Sequence, residues 1–248
     1  MNRPSLRARL GALALALAAV AAPLAATAPA RAADAAPDRL AGAPKVGSCY
    51  DVTLKQSEGE YLRATSFACS TRSHTVFVVG VAEVPSDVPL TSDSRALFAF
   101  RDKACRPAFG RAIGTDRNLQ ARSTYLPSYF LPTPQQREAG ARWISCTLGT
   151  LNAGAYERDR LTSPRRVTGL PKSVSGCTAK DLIVPCTRRH EFRLTWAGTI
   201  YEKPTARTID TAGRRLCPRH VRTAAYTYNV RFATPTSFVL ACGTRTSR

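Results

Sequence analysis

Motifs of catalysis and of metal binding are missing from this sequence. It contains no G-x-S-x-G, S-x-x-K, H-E-x-x-H or C-x-x-C segment, so it lacks the local patterns of common hydrolases and zinc sites. Acidic residues are few, with 17 Asp plus Glu among 248 residues, and histidines number 3. We therefore expect no enzyme, no catalytic residue, no metal and no other cofactor.

Long apolar runs are missing after residue 32. The longest covers residues 76–82, which is far short of the roughly 20 residues that span a bilayer. The N-terminus differs, because an apolar run over residues 10–28 follows Arg3, Arg7 and Arg9 and precedes Ala30-Arg31-Ala32. This pattern predicts a signal peptide over residues 1–32 that is cleaved after Ala32, with an uncleaved membrane anchor as the alternative. The mature chain is expected to be secreted, loosely associated with the cell envelope and without an integral membrane span.

Positive charge is what the chain has in excess. Its 36 Lys plus Arg against 17 acids give +19, and removal of the signal peptide leaves 32 − 17 = +15. Thirty of the basic residues are Arg, which pairs bidentately with phosphate and carboxylate. The predicted partner of the exported protein is an anionic cell-wall polymer or another envelope protein. No nucleic acid is expected, because no recognition motif is present.

Adjacent and helically spaced arginines are the strongest candidates for anion binding. They are Arg188, Arg189, Arg214, Arg215, Arg219 and Arg222. A wider set in the first half of the chain comprises Arg63, Arg72, Arg101, Arg106, Arg111, Arg117, Arg122 and Arg142. The alternative is a solvated surface whose arginine content follows from a GC-rich genome.

Eight cysteines divide into two sets of four through an internal repeat. Gly47-Ser48-Cys49 recurs as Ser175-Gly176-Cys177, and the segment from Cys69 to His74 recurs one residue shorter from Cys186 to His190. An even count in an exported chain predicts disulfides, with three possible pairings in each set. The preferred pairs are Cys49–Cys69, Cys105–Cys146, Cys177–Cys186 and Cys217–Cys242.

The strand and helix patterns also repeat. Residues 61–69 and 75–84 favour a hairpin, Ser92 or Asp93 favours a helix start that runs to about Cys105, and Pro107 favours a break. Further strands are predicted over 125–131, 142–148, 182–186, 192–201, 225–233 and 238–244, and a second helix over about 205–223.

These elements predict an α+β fold of two tandem, related lobes, each an antiparallel sheet with one helix and two disulfides. The boundaries are a signal peptide (1–32), an N-terminal linker (33–45), a first lobe (46–151), a linker (152–172) and a second lobe (173–248). A monomer is expected.

The spaced Cys, His, Pro and Gly residues resemble the septum-formation domain of exported proteins in high-GC Gram-positive bacteria. The matching residues are Gly47, Cys49, Cys69, His74, Cys105, Tyr129, Pro132, Thr133, Gly140, Arg142 and Cys146. The resemblance covers about residues 46–150, and the second lobe more weakly. It implies an envelope protein connected with septum formation, and it carries over no catalytic residue.

Two other functional interpretations remain. His74 and His190 beside cysteines could be half of a zinc site, but the thiols are expected in disulfides, so these histidines are interpreted as structural. A wall-modifying hydrolase whose two carboxylates converge from distant parts of the chain stays open as the alternative function.

Overall fold

Two antiparallel sheets, each covered by one long helix, form the fold. The structure is a computed structural model, and it describes residues 38–152, 155–158, 164 and 167–246. The predicted signal peptide lies outside the described residues. Both sheets belong to one unit of the chain, which begins after residue 36.

The first sheet has the strand order β2-β1-β3-β5-β4, with β6 paired to β5. Its strands are β1 (Ser48–Tyr50), β2 (Phe67–Ala68), β3 (Val76–Glu83), β4 (Tyr125–Phe130), β5 (Trp143–Asn152) and β6 (Ala155–Glu157). The same part of the chain forms the helices α1 (Leu54–Ser57), α2 (Arg95–Ile113), α3 (Arg117–Ala121) and α4 (Pro134–Glu138).

The second sheet has the order β10-β11-β9-β7-β8. Its elements are β7 (Gly176–Ala179), β8 (Leu182–Pro185), β9 (Phe192–Ile200), α5 (Ala206–His220), β10 (Tyr226–Ala233) and β11 (Phe238–Arg245). At the turn between β7 and β8, Lys180 and Asp181 have φ of 49° and 65°. Two consecutive positive φ angles are typical of the tight turns that match strand twist in hairpins.

The two sheets share one topology. When β1 to β5 are matched in chain order with β7 to β11, the spatial order of the strands is the same. The register agrees as well, because Tyr129 lies opposite Cys146 in the first sheet and Tyr228 lies opposite Cys242 in the second. In each sheet, the pairing of the third strand with the fifth shifts register next to this cysteine of the fifth strand.

Most of the predicted strands are confirmed, but the predicted first hairpin is wrong. Only Phe67–Ala68 of the segment 61–69 is a strand, and β1 lies between β2 and β3, pairing with both. β1 is too short to stand out in the sequence. The position of β1 between β2 and β3 depends on pairing between distant segments of the chain. The local residue pattern of each segment carries no information on that pairing.

The predicted break at Pro107 is also wrong. α2 begins after Ser94, whose side chain accepts a hydrogen bond from the Leu97 amide, and continues through Pro107 to Ile113. Proline costs a helix one hydrogen bond. Beyond Pro107, the side chains of Ala108, Phe109 and Ile113 are buried in the apolar core between α2 and the first sheet. This packing holds the helix together past the proline.

The structure contains four disulfides, Cys49–Cys69, Cys105–Cys146, Cys177–Cys186 and Cys217–Cys242. These are the preferred pairs of the sequence analysis. In each lobe one disulfide joins the first strand to the residue directly after the second strand, and the other joins the long helix to the fifth strand. Such disulfides are typical of proteins that mature in an oxidising compartment.

Hydrogen bonds join the two lobes. The amide of Gly176 donates to the Arg122 carbonyl (2.7 Å), and the amide of Thr124 donates to the Val174 carbonyl (2.9 Å). Arg122 also donates from Nη1 to the Thr195 carbonyl (2.6 Å). Polar backbone groups paired across the junction fix one lobe against the other.

Candidate functional site

A cleft of about 610 Å³ opens where the edge strand of the first sheet approaches the edge strand of the second. Residues of α2, the start of α3, β4 and the end of β10 line it. Its volume lies in the range of sites for small molecules or for one end of a larger ligand. The lining includes Phe98, Arg101, Asp102, Arg106, Phe109, Thr115, Arg117, Leu126, Tyr129, Arg231 and Phe232.

Arg101 is held against two aromatic rings of the cleft. Its Cζ lies 3.8 Å from the centre of the Phe98 ring, one helical turn earlier, and 4.6 Å from the centre of the Tyr129 ring on β4. Stacking uses the flat face of a guanidinium and leaves its N–H edge available. Burial lowers the pKa of Arg101, while Tyr129 and Asp102 act in the opposite direction, and the side chain remains cationic at neutral pH.

Arg231 is a buried cation of β10 that also lines the cleft. It is 9% exposed, and it donates to the carbonyls of Ala121 (2.9 Å), Ser123 (2.9 Å) and Tyr125 (3.3 Å). These carbonyls belong to the first lobe, so Arg231 also ties the lobes together. Among the described residues no carboxylate forms an ion pair with it, and burial lowers its pKa to about 10.

One carboxylate among the lining residues balances part of this charge. Asp102 forms an ion pair with Arg106 one turn along α2 and lies 3.9 Å from a nitrogen of Arg117. With Arg101 and Arg231, the lining carries four cations and one anion, or 4 − 1 = +3. The cleft is therefore electropositive.

Apolar side chains form the rest of the wall. Phe109 packs edge-on against Tyr129 with 5.8 Å between ring centres. Leu126 lies on the edge strand β4, and Phe232 lies on the edge strand β10. Burial raises the pKa of the Tyr129 hydroxyl, and Arg101 opposes that rise. The site thus combines positive charge with an apolar surface.

The six predicted arginines lie elsewhere. Arg214, Arg215 and Arg219 are exposed on α5, and Arg222 is exposed just beyond its end. Arg188 and Arg189 are exposed in the turn after β8, at the sheet edge opposite β10, whereas α5 packs on β9, β10 and β11. None of the six lines the cleft. From the wider set, the fold brings together Arg101, Arg106 and Arg117.

Arg231 was not among the candidates from the sequence. It stands between Val230 and Phe232 in a predicted strand, and an arginine between apolar residues of a strand is the one signal that could have found it. Its partners are carbonyl groups more than 100 residues away, and a local pattern does not contain them.

The two repeated histidines lie in buried positions. His74 is 3% and His190 is 6% exposed. Nδ1 of His190 lies 2.6 Å from the Arg188 carbonyl, and because a carbonyl only accepts, the ring donates there. In the described part of the chain, no group of three or more His, Cys, Asp or Glu residues is placed to hold a metal ion.

Most residues that carry the septum-formation resemblance have structural roles. Thr133 caps α4, Gly140 has a φ of 95°, and Arg142 donates to the carbonyls of Pro85 (2.7 Å) and Val88 (2.5 Å). Tyr129 is the member of this set that lines the cleft.

Among its described residues, the second lobe has no equivalent of the arginine stack. If Cys105 and Cys217 are matched, Gly213 stands in place of Arg101. Tyr228, the counterpart of Tyr129, packs against Gly213 and donates from its hydroxyl to Asp210 (2.5 Å). The hydrogen bonds from Tyr228 and Arg214 hold the pKa of Asp210 below its usual value.

Comparisons of the chain with protein-family models, with curated proteins and with solved structures find no match. Among the described residues, no helix has the length and apolar content needed to cross a membrane.

Proposed function

We propose that this chain is an exported, non-enzymatic envelope protein whose cleft binds the anionic part of a cell-wall polymer or of another envelope protein. The cationic lining carries this proposal: among the described residues no carboxylate pairs with the buried Arg231, and Arg101, stacked on two rings, lines the same cleft. Buried charges in proteins are normally paired. An anionic ligand would supply the missing counter-charge.

Export and an envelope role are supported by other features. The N-terminal sequence has the charged, apolar and small-residue segments of a signal peptide, and four disulfides suit an oxidising compartment. The resemblance of residues 46–150 to the septum-formation domain supports a role connected with septum formation.

Binding is favoured over hydrolysis by the acid content of the cleft. Glycoside hydrolysis generally uses two carboxyl groups about 5 to 9 Å apart. The described lining contributes Asp102, and this carboxylate is engaged by Arg106 and Arg117. A wall-modifying hydrolase would need its second acid elsewhere.

The two lobes are, on this proposal, products of an internal duplication. Their common strand order, their corresponding disulfides and the matched positions of Tyr129 and Tyr228 support a common origin. The cleft then belongs to the first lobe and to the edge of the second, and one lobe alone would not form it.

The test is sedimentation of the mature chain, residues 33–248, with purified cell wall across a salt series. One variant, Arg101→Gln with Arg117→Gln, removes two cleft cations, and a matched variant, Arg215→Gln with Arg219→Gln, removes two exposed cations of α5. We expect binding that weakens with salt and falls about tenfold in the cleft variant alone.

Loss of binding in the α5 variant alone would place the contact on the predicted surface arginines and contradict the cleft. Release of soluble wall fragments by the protein would support the hydrolase instead.

A further inference from the structure

We infer that the group received by the cleft is an amphiphilic oxyanion, with one phosphate or carboxylate head on Arg101 and an acyl or aryl body along the apolar wall. This inference rests on the proposed function and narrows its ligand to a chemical class. Three observations support it: the stacked Arg101, the apolar wall and the replacement of Arg101 in the second lobe.

The head group is assigned to Arg101. Two rings hold this guanidinium, and among the described residues it has no hydrogen-bond acceptor, although a guanidinium carries five N–H donors. Arg231 contributes a second positive charge to the same cleft, and its Nη1 also has no acceptor in the described part of the chain. Oxyanions accept two parallel hydrogen bonds from such an edge.

The body of the ligand is assigned from the wall. Phe98, Phe109, Leu126 and Phe232 supply apolar surface, together with the ring of Tyr129. Apart from the charged groups and Tyr129, the polar side chains of the lining are Thr115, Gln120 and Thr234. Gln120 already donates to the Gly114 carbonyl, and Thr234 donates to the Ser237 carbonyl. A bare sugar chain needs many hydrogen-bond partners, whereas an acyl or aryl group needs apolar contact.

The fold itself does not require Arg101. Gly213 occupies the equivalent helical position of the second lobe, under the ring of Tyr228, and α5 packs on β9, β10 and β11 without an arginine there. An arginine at this place is therefore a feature of the first lobe alone. Its removal should leave the fold intact, which makes Arg101 suitable for mutation.

The experiment is isothermal titration of the mature protein with dodecyl phosphate and, separately, with dodecanoate, each below its micelle concentration. Dodecyl maltoside carries the same alkyl chain without a charge, and dodecyltrimethylammonium carries it with the opposite charge. Inorganic phosphate supplies the head group without an alkyl chain. Comparison of the first two ligands shows which oxyanion the cleft prefers. Circular dichroism checks that each protein remains folded.

We expect saturable binding of at least one dodecyl anion and at least tenfold weaker binding of all three controls. Arg101→Gln should raise the dissociation constant about tenfold, and Thr115→Asp, which adds a carboxylate at an exposed lining position, should raise it as well. Arg111→Gln is the matched control, because Arg111 is exposed on the same helix outside the cleft. It should bind like the wild type.

Equal binding of the maltoside and the dodecyl anions would overturn the assignment of the head group. Unchanged affinity in Arg101→Gln would overturn the role of Arg101. If no dodecyl anion binds while cell wall still binds through the cleft arginines, this inference fails and the proposed function stands. If dodecyl anions bind and cell wall does not, the cleft is a site for amphiphilic oxyanions, and the proposal that it binds a cell-wall polymer fails.

Discussion

A β-carbon added to Gly213 would lie 2.6 Å from the ring of Tyr228. The corresponding pair in the first lobe, Arg101 and Tyr129, places a guanidinium over the ring instead, with 4.6 Å between Cζ and the ring centre. The same strand and helix framework therefore closes over a glycine in one lobe and holds a cation beside a cleft in the other.

Gly213→Ala should destabilise the protein. Alanine is a better helix former than glycine by about 1 kcal/mol, but the added methyl group displaces the Tyr228 ring, and overpacking costs about 1–3 kcal/mol. The contact outweighs the propensity, so we expect a net loss of about 1 kcal/mol in urea denaturation. Gly110→Ala is the control, since its new β-carbon would meet only the methyl group of exposed Thr115, at 3.0 Å. A stabilised Gly213→Ala would contradict the close packing.

Arg231→Met should weaken the junction of the lobes. Methionine fills similar space but leaves the carbonyls of Ala121, Ser123 and Tyr125 without this donor. Removal of a buried charge recovers some desolvation energy, yet unsatisfied buried acceptors cost about 1–3 kcal/mol each. We expect a net loss of about 2 kcal/mol in urea denaturation followed by tryptophan fluorescence. Arg111→Met should change stability little, and equal stability of both variants would argue against a structural role for Arg231.

The disulfides should differ in their contributions. The Cys105–Cys146 pair closes 41 residues and the Cys177–Cys186 pair closes 9. Chain-entropy arguments give about 4 kcal/mol for the longer loop and about 2.5 kcal/mol for the shorter. Paired Cys→Ala variants should follow this order in urea denaturation without reductant. Thiol titration of the wild type should find no free thiol, because all eight cysteines lie among the described residues and each is in a disulfide.

Tyr129 should ionise above its ordinary pKa of 10.0, because burial raises its pKa. Between pH 10 and the native pKa, the folded state keeps a proton that the unfolded state has released, so stability falls as pH rises. Arg101→Gln removes the first of three cations, Arg101, Arg117 and Arg106, that oppose this rise, and it should move the ionisation to still higher pH. Tyrosinate absorbance, as the difference between each protein and its Tyr129→Phe variant, measures the shift. A lower pKa in Arg101→Gln would contradict the stacked arrangement.

The strands and disulfides could be predicted because their signals are local or repeated. The segments 192–201 and 238–244 are rich in β-branched, aromatic and other apolar residues. The recurrence of Gly47-Ser48-Cys49 as Ser175-Gly176-Cys177, and of the Cys69–His74 segment as Cys186–His190, assigns the cysteines to lobes. The insertion of β1 between β2 and β3 could not be predicted, since a three-residue strand has no pattern of its own. The continuation of α2 through Pro107 could not be predicted either, because packing beyond Pro107 outweighs the local effect of proline on the helix.

The cleft is harder to predict than the fold. Its cations come from α2, α3 and β10, and only the placement of two sheet edges brings them together. Adjacent arginines such as Arg188 and Arg189 stand out in the sequence, but they are exposed in a turn. Arg101 does not stand out, since its significance depends on Tyr129 on a strand 28 positions later.

NMR of the arginine Nε–H groups would show whether an anionic envelope ligand contacts the cleft arginines. The mature chain would be titrated with soluble fragments of cell wall, with signals assigned by Arg→Lys variants. We expect saturable shifts at Arg101 and Arg117, with Arg215 and Arg219 unchanged. Shifts confined to Arg215, Arg219, Arg188 and Arg189, or no shift at any arginine, would contradict this expectation.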